Sequence, residues 1–158
     1  MKDNENVYFR ARKEAAKYNE RLSSREGAAE LLGVSASTLA DYELGNTKVV
    51  PVDKVVLMAD LYNCPELKAM YCKHECPIGR LMPIATQLRS LESVTIRFLK
   101  EFDGKKLEDM RGGLIAIAAD GQVDASEKAE LQAILKMMDD LSLILSEMKL
   151  IGEKAMRE

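Results

Sequence analysis

Only three residues, Gly33, Val34 and Ser35, separate two short stretches of helix-forming sequence, and that brevity constrains this chain more than any other feature. The first stretch, "SREGAAELL", stops at Gly33, the residue type favoured just past a helix C-terminus. The second, "ASTLADYEL", follows Ser35, a good N-cap, and is stopped in turn by Gly45. So short a corner predicts that the second helix crosses the first steeply instead of returning alongside it, the arrangement of a helix-turn-helix. Ser23 and Glu26 stand in the S-x-x-E relation of a capping box, which predicts where the first of the two begins.

Similar punctuation divides the rest. A helix is expected from Tyr8 to about Lys17, then a polar joint, "KYNERL". After the loop "NTKVVP" a fourth helix, Val52 to Tyr62, would bury Val52, Val55, Val56, Ala59 and Tyr62 on one face. A fifth begins with Pro65 in its first turn and ends ahead of Pro77. Leu81, Ile84, Leu88, Leu91, Thr95, Phe98 and Phe102 then recur at spacings of three and four, predicting one long helix broken at Gly104. A shorter helix carries Leu107, Met110, Leu114 and Ile117. "DGQVD" turns the chain, and Asp124 with Glu127 forms a second capping-box pattern. The last helix repeats Leu131, Ile134, Met138, Leu141, Leu145 and Met148, close to a heptad seam. The expected fold class is all-α, with a five-helix domain over 7–76 and a helical region over 77–158.

Several functions are disfavoured. No apolar run approaches the roughly 20 residues of a membrane span. The opening "MKDNENVYFR" is charged where a signal peptide would be apolar, so a cytoplasmic protein without a membrane partner is expected. A single His, and the lack of a Gly-rich phosphate loop or a Ser/His/Asp set, argue against an enzyme. "DGQVDASE" matches the end of a calcium-binding EF-hand loop, but Ala116 and Ala118 would fall at ligand positions and have no oxygen to give. Net charge is −3, yet the chain up to Arg25 has seven Lys/Arg against four acids, and from Lys105 onward eight against eleven. A basic end and an acidic end suggest separate tasks.

The run Leu22 to Asn46, "LSSREGAAELLGVSASTLADYELGN", resembles the Cro and phage-repressor family, also called the xenobiotic-response-element family. The resemblance covers Val7 to about Leu67. It rests on Ala29 at the helix crossing, Gly33 at the turn, Val34 and Leu39 in the crossing core, and Glu43 with Gly45. It implies a lambda-repressor-like transcriptional regulator, a repressor, that binds double-stranded DNA at a palindromic operator as a homodimer, with the helix over 35–44 in the major groove. Groove-facing positions would be Ala36, Ser37, Thr38 and Asp41, with Ser35 at the helix start. Hydroxyls can bond several bases, Ala36 can touch a thymine methyl, and Asp41 can accept from a cytosine amino group but repels phosphate. Ser24 and Arg25 at a helix N-terminus, Asn46 and Lys48 in the next loop, and Lys13 or Lys17 would meet phosphates. By the same resemblance Glu43 pairs with a first-helix arginine, here Arg12. Tyr42 is expected to pack near the crossing with its hydroxyl at the edge, near a DNA phosphate.

The C-terminal stripes could close on one another as a subdomain or pair with a second copy, and such readers bind two half-sites through a two-fold dimer. An alternative role is a protein-interaction adaptor whose acidic helical end does the work and whose DNA binding is weak. A third reading is a metal- or redox-responsive regulator sensing through Cys64, Cys72 and Cys76. Cys72 and Cys76, four apart, would share a helix face with His74 pointing away. Three thiols fall short of the four ligands zinc prefers, although Zn or an Fe–S cluster shared across a dimer would make up the number. Free cysteines on helices are otherwise small buried apolar residues.

Overall fold

The computed structural model of the chain describes residues 6–156, and every regular element among them is a helix. In order these are α1 (Val7–Ala15), a 3-10 turn (Glu20–Leu22), α2 (Arg25–Leu32), α3 (Ala36–Leu44), α4 (Val52–Leu61), α5 (Glu66–His74), a second 3-10 turn (Gly79–Leu81), α6 (Leu91–Glu101), α7 (Gly104–Ile117) and α8 (Glu127–Ala155). Backbone contacts group the chain up to Met82, with the residues from Glu153, as one compact unit and Pro83–Gly152 as another. The expected boundary at 76/77 therefore moves to Met82/Pro83.

The first unit is built around a core of Ala11, Leu22, Ala28, Ala29, Leu32, Leu39, Tyr42, Val55, Met58, Ala59, Tyr62 and Leu67. Leu22 is fully buried, and the surrounding "KYNERL" is a turn shaped to deliver it. That displaces the expected cap. Ser23 closes the 3-10 turn with helical φ −66 and ψ −35, so it cannot also be an extended N-cap. Ser24, at φ −102 and ψ 156, takes the role and accepts from the Gly27 N–H at 3.1 Å. Gly33 and Gly45 both have left-handed backbone at the two predicted helix ends. In α4 the buried face is Val55, Met58, Ala59 and Tyr62, while Val52 and Val56 face outward. Its apolar residues surround the helix, so spacing alone left the rotation open, and the core chose it.

The run "YCKHECPIGR" is a reciprocal cap. Lys73 Nζ donates to the carbonyls of Arg80 (3.2 Å) and Met82 (2.9 Å), while Arg80 Nε donates back to the His74 carbonyl at 2.9 Å. Two orphan helix ends are thereby satisfied by each other's cations.

In the second unit the long helix is not formed. Met82, before Pro83, is extended at φ −95 and ψ 147, and the chain runs without helix to Ser90, whose side chain caps α6. The Ala85 N–H donates to Ser146 Oγ at 3.3 Å, and Arg89 pairs with Glu147 at 3.5 Å, so this segment is tied to α8. Leu81, expected in the stripe, is exposed, and Val94, not Leu91, is the buried residue of α6. Gly104 opens α7 instead of breaking a helix, because Asp103 caps it by accepting from Lys105 N–H and Lys106 N–H. Leu107, Met110, Leu114 and Ile117 share the inner side of α7 as expected. The capping box at Asp124 and Glu127 is complete: Glu127 N–H donates to Asp124 Oδ1 at 2.9 Å and Asp124 N–H to Glu127 Oε2 at 3.0 Å. Along α8 the residues turned inward are Ile134, Leu141, Ile144 and Leu150. Leu145 faces solvent, one residue out of the expected seam. Glu147, also buried, is neutralised by Arg97 as well as by Arg89.

Candidate nucleic-acid interface

The crossing of α2 and α3 is held from behind by charge. Arg12 on α1 is 2% exposed and Glu43 on α3 is fully buried. Arg12 Nε donates to Glu43 Oε1 at 2.5 Å and Nη2 to Oε2 at 2.9 Å, a two-pronged pair, while Nη1 donates to the carbonyls of Leu22 (2.9 Å) and Ser23 (3.2 Å). Burial alone would lower the Arg12 pKa, but the Glu43 hydrogen bond and charge outweigh it and the net shift is upward, so the guanidinium stays charged. The expected Arg12–Glu43 pair is thus present with its geometry.

Arg25 joins it from α2, donating through Nε to Glu43 Oε2 at 2.7 Å. One carboxylate thereby ties together α1, α2 and α3. Phe9 supports the cluster: Arg12, Lys13 and Arg25 place their cationic groups 5.5, 5.8 and 5.9 Å from its ring centre. Three cations about one ring are compatible because the ring face is electron-rich and Glu43 removes one unit of their repulsion. Neither the Arg25 contact nor the Phe9 hub was foreseen. Phe9 is followed by cations three and four residues on, the helical-neighbour spacing that could have revealed part of it.

The solvent-facing side is polar and hydroxyl-rich. Ser35 accepts from the Thr38 N–H at 3.0 Å, and its Oγ lies 2.9 Å from Ser37 Oγ and 2.8 Å from Thr38 Oγ1. Ser37 is exposed and Ala36 and Thr38 partly so, at the N-terminal end of α3. Asp41 is also exposed and accepts from Asn46 Nδ2 at 3.0 Å, while Asn46 N–H donates to the Asp41 carbonyl at 2.9 Å. These two expected contact residues are therefore each other's partners. Lys48 stands exposed in the following loop and Ser24 at the start of α2. Tyr42 is different, since it lies almost wholly in the core, which leaves it little surface for a DNA contact. Asn6 fastens this end of the site, capping α1 through its oxygen and donating to the Tyr42 carbonyl at 3.0 Å. Lys54 Nζ donates to the Leu32 carbonyl at 3.1 Å and closes the C-terminus of α2.

Two short helices joined by a left-handed glycine corner, the second presenting a polar N-terminal face and the pair braced by a third, form one recognisable unit. A family model described as a helix-turn-helix domain matches residues 7–69 and supports a DNA-binding regulator. No curated protein and no solved structure matches the chain.

The cysteines lie outside this helix-turn-helix surface. Among the described residues no group of three or more His, Cys, Asp or Glu side chains could hold a metal ion, so Cys64, Cys72 and Cys76 are not brought together as the expected ligand set. Cys64 packs against the domain core, and burial, with help from Glu66, pushes its thiol pKa up to about 12. That favours the inert thiol over the thiolate that metals and oxidants need. Cys72 and Cys76 are partly buried free thiols. No helix of the described residues is long and apolar enough to cross a membrane.

Proposed function

We propose that this protein is a sequence-specific transcriptional regulator, a repressor, which binds a palindromic operator in double-stranded DNA as a homodimer. The observation that carries the reading is the Arg12–Glu43–Arg25 cluster. It fixes α3 rigidly from behind and leaves the Ser35–Thr38 end outward, the geometry a reading helix needs. Ser37 and Thr38 read base edges, Ala36 lies against them, and Lys48 and Ser24 meet the phosphates. Arg25 acts at the same edge as a positioning residue for α3, its guanidinium held by Glu43. Asp41, paired with Asn46, presents a muted charge, so DNA shape contributes to the choice of site. The helical region from Pro83 onward serves pairing or regulation.

Selection from random duplexes with the purified protein tests this, followed by titration of the selected site over a range of salt. A two-fold symmetric motif is expected, with half-sites about 34 Å apart. Lys48→Ala should lower affinity for all sequences and reduce the salt slope by about one, whereas Ser37→Ala with Thr38→Ala should relax sequence preference. Absence of any enriched motif would overturn the reading and leave the adaptor role as its successor.

A further inference from the structure

The second unit buries one side of α6 and leaves the opposite side apolar. Ile96 and Leu99 are 67% and 65% exposed, the two most exposed large aliphatic side chains of the unit, ahead of Ile115 at 61%. On a helix Glu92, Ile96, Leu99 and Lys100 share one face. Glu92 stands four residues before Ile96 and Lys100 four residues after it. At 1.5 Å per residue each charge lies about 6 Å along the axis from Ile96, on opposite sides.

That symmetry of opposite charges about an apolar centre is a self-complementary pattern. A two-fold axis through Ile96 would bring a second α6 in antiparallel, with Ile96 on Ile96, Leu99 flanking it, and Glu92 of each copy against Lys100 of the other. A parallel approach would instead set Glu92 on Glu92 and Lys100 on Lys100, which like charges oppose. Among the described residues no salt bridge within the chain engages Lys100, while Glu92 is engaged by Ser90 at its own helix start.

We propose that α6 is the surface through which two copies of this chain pair, antiparallel, about Ile96. The inference rests on the dimeric part of the proposed function and gives it a location. An eleven-residue helix is only about 16 Å long, so α6 alone supplies less than the roughly 800 Å² per partner of a standard interface. Self-association in solution is therefore modest and is reinforced on DNA, where two half-sites hold the copies together.

Sedimentation of the full chain over micromolar concentrations, without and with a selected duplex, provides the test. Ile96→Glu should weaken self-association about tenfold or more, as truncation of a central anchor does. Glu92→Lys and Lys100→Glu should each weaken it, and the double variant should recover most of the loss, because swapping both charges restores both cross-pairs. All three positions substituted are exposed, and circular dichroism melts confirm that each variant folds. Recovery in the double variant is a signature that a mere change of helix stability cannot produce, since both single changes oppose the helix dipole. If Ile96→Glu associates as the unsubstituted protein does, or the double variant is no better than the singles, the α6 surface is wrong while the dimer stands. If the unsubstituted protein is monomeric in solution and binds DNA as one copy per site, the dimeric reading falls as well.

Discussion

Replacing Glu43 by Gln probes the brace under α3 with almost no change of shape. The amide fills the same volume but leaves Arg12, 2% exposed, as a buried cation with no counter-charge. Breaking one side of a buried pair costs about 3–5 kcal/mol. Arg12 keeps the Leu22 and Ser23 carbonyls as acceptors, which places this case near 3 kcal/mol on that scale. With an m-value of about 1.5 kcal/mol/M, the urea midpoint should fall by about 2 M. The one amide oxygen left cannot serve both arginines, so the hold on Arg25 also weakens, and affinity for DNA should fall further than the population of unfolded protein explains. Unfolding is followed by circular dichroism at 222 nm, and binding at a temperature where the variant is fully folded. The companion variant, Arg12→Met with Glu43→Leu, removes both charges and should regain most of the stability, because the desolvation cost disappears with the attraction. A loss below about 1 kcal/mol for Glu43→Gln, the size typical of an exposed pair, would refute the reasoning.

Two further outcomes follow from local geometry. Gly79→Ala would place a Cβ 2.1 Å from the Cys72 carbonyl oxygen, backbone that cannot yield, so the reciprocal cap should open and thermal stability drop. Gly112→Ala on α7 meets nothing within 4 Å and should stabilise by about 0.5–1 kcal/mol; equal effects in thermal melts would contradict the packing at Gly79. Cys64, with its pKa raised to about 12 against 9.0 for an ordinary thiol, should alkylate far more slowly in the native protein than in urea. The sign of its pH effect is fixed by the upward shift. Its contribution to stability is complete below about pH 9 and is lost as pH rises towards 12, since only the unfolded state deprotonates in that window. Urea midpoints across that range for the native chain and Cys64→Ala should therefore converge as pH rises.

Much of the first unit could be read directly because its signals are local. Gly33 and Gly45 end helices where only left-handed backbone continues, Ser35 caps α3, and the corner between them is too short for any other arrangement. The capping box at Asp124 and Glu127 is local in the same sense and formed as written. The candidate site was partly legible: the Arg12–Glu43 pair came through resemblance, while the bond of Arg25 to Glu43 had no local signal, and Tyr42, expected to pack near the crossing, is almost wholly buried there.

What spacing could not decide was rotation and continuity. Val56 and Leu145 fit their apolar stripes as well as Val55 and Ile144 do, and only packing against neighbouring helices selects which side is buried. The stripe from Leu81 to Phe102 has helical period, yet Pro83 and the tie of Ala85 to Ser146, 61 positions away, keep its first part out of a helix. A hydrogen bond across that distance leaves no trace in a window of neighbouring residues. The sequence by itself determined where helices could start and stop, since caps, glycines and prolines act within a few residues. Tertiary structure decided which faces meet, which cations share Glu43, and that the three cysteines form no ligand group among the described residues, because burial and charge pairing are settled only when distant segments compete for the same interior.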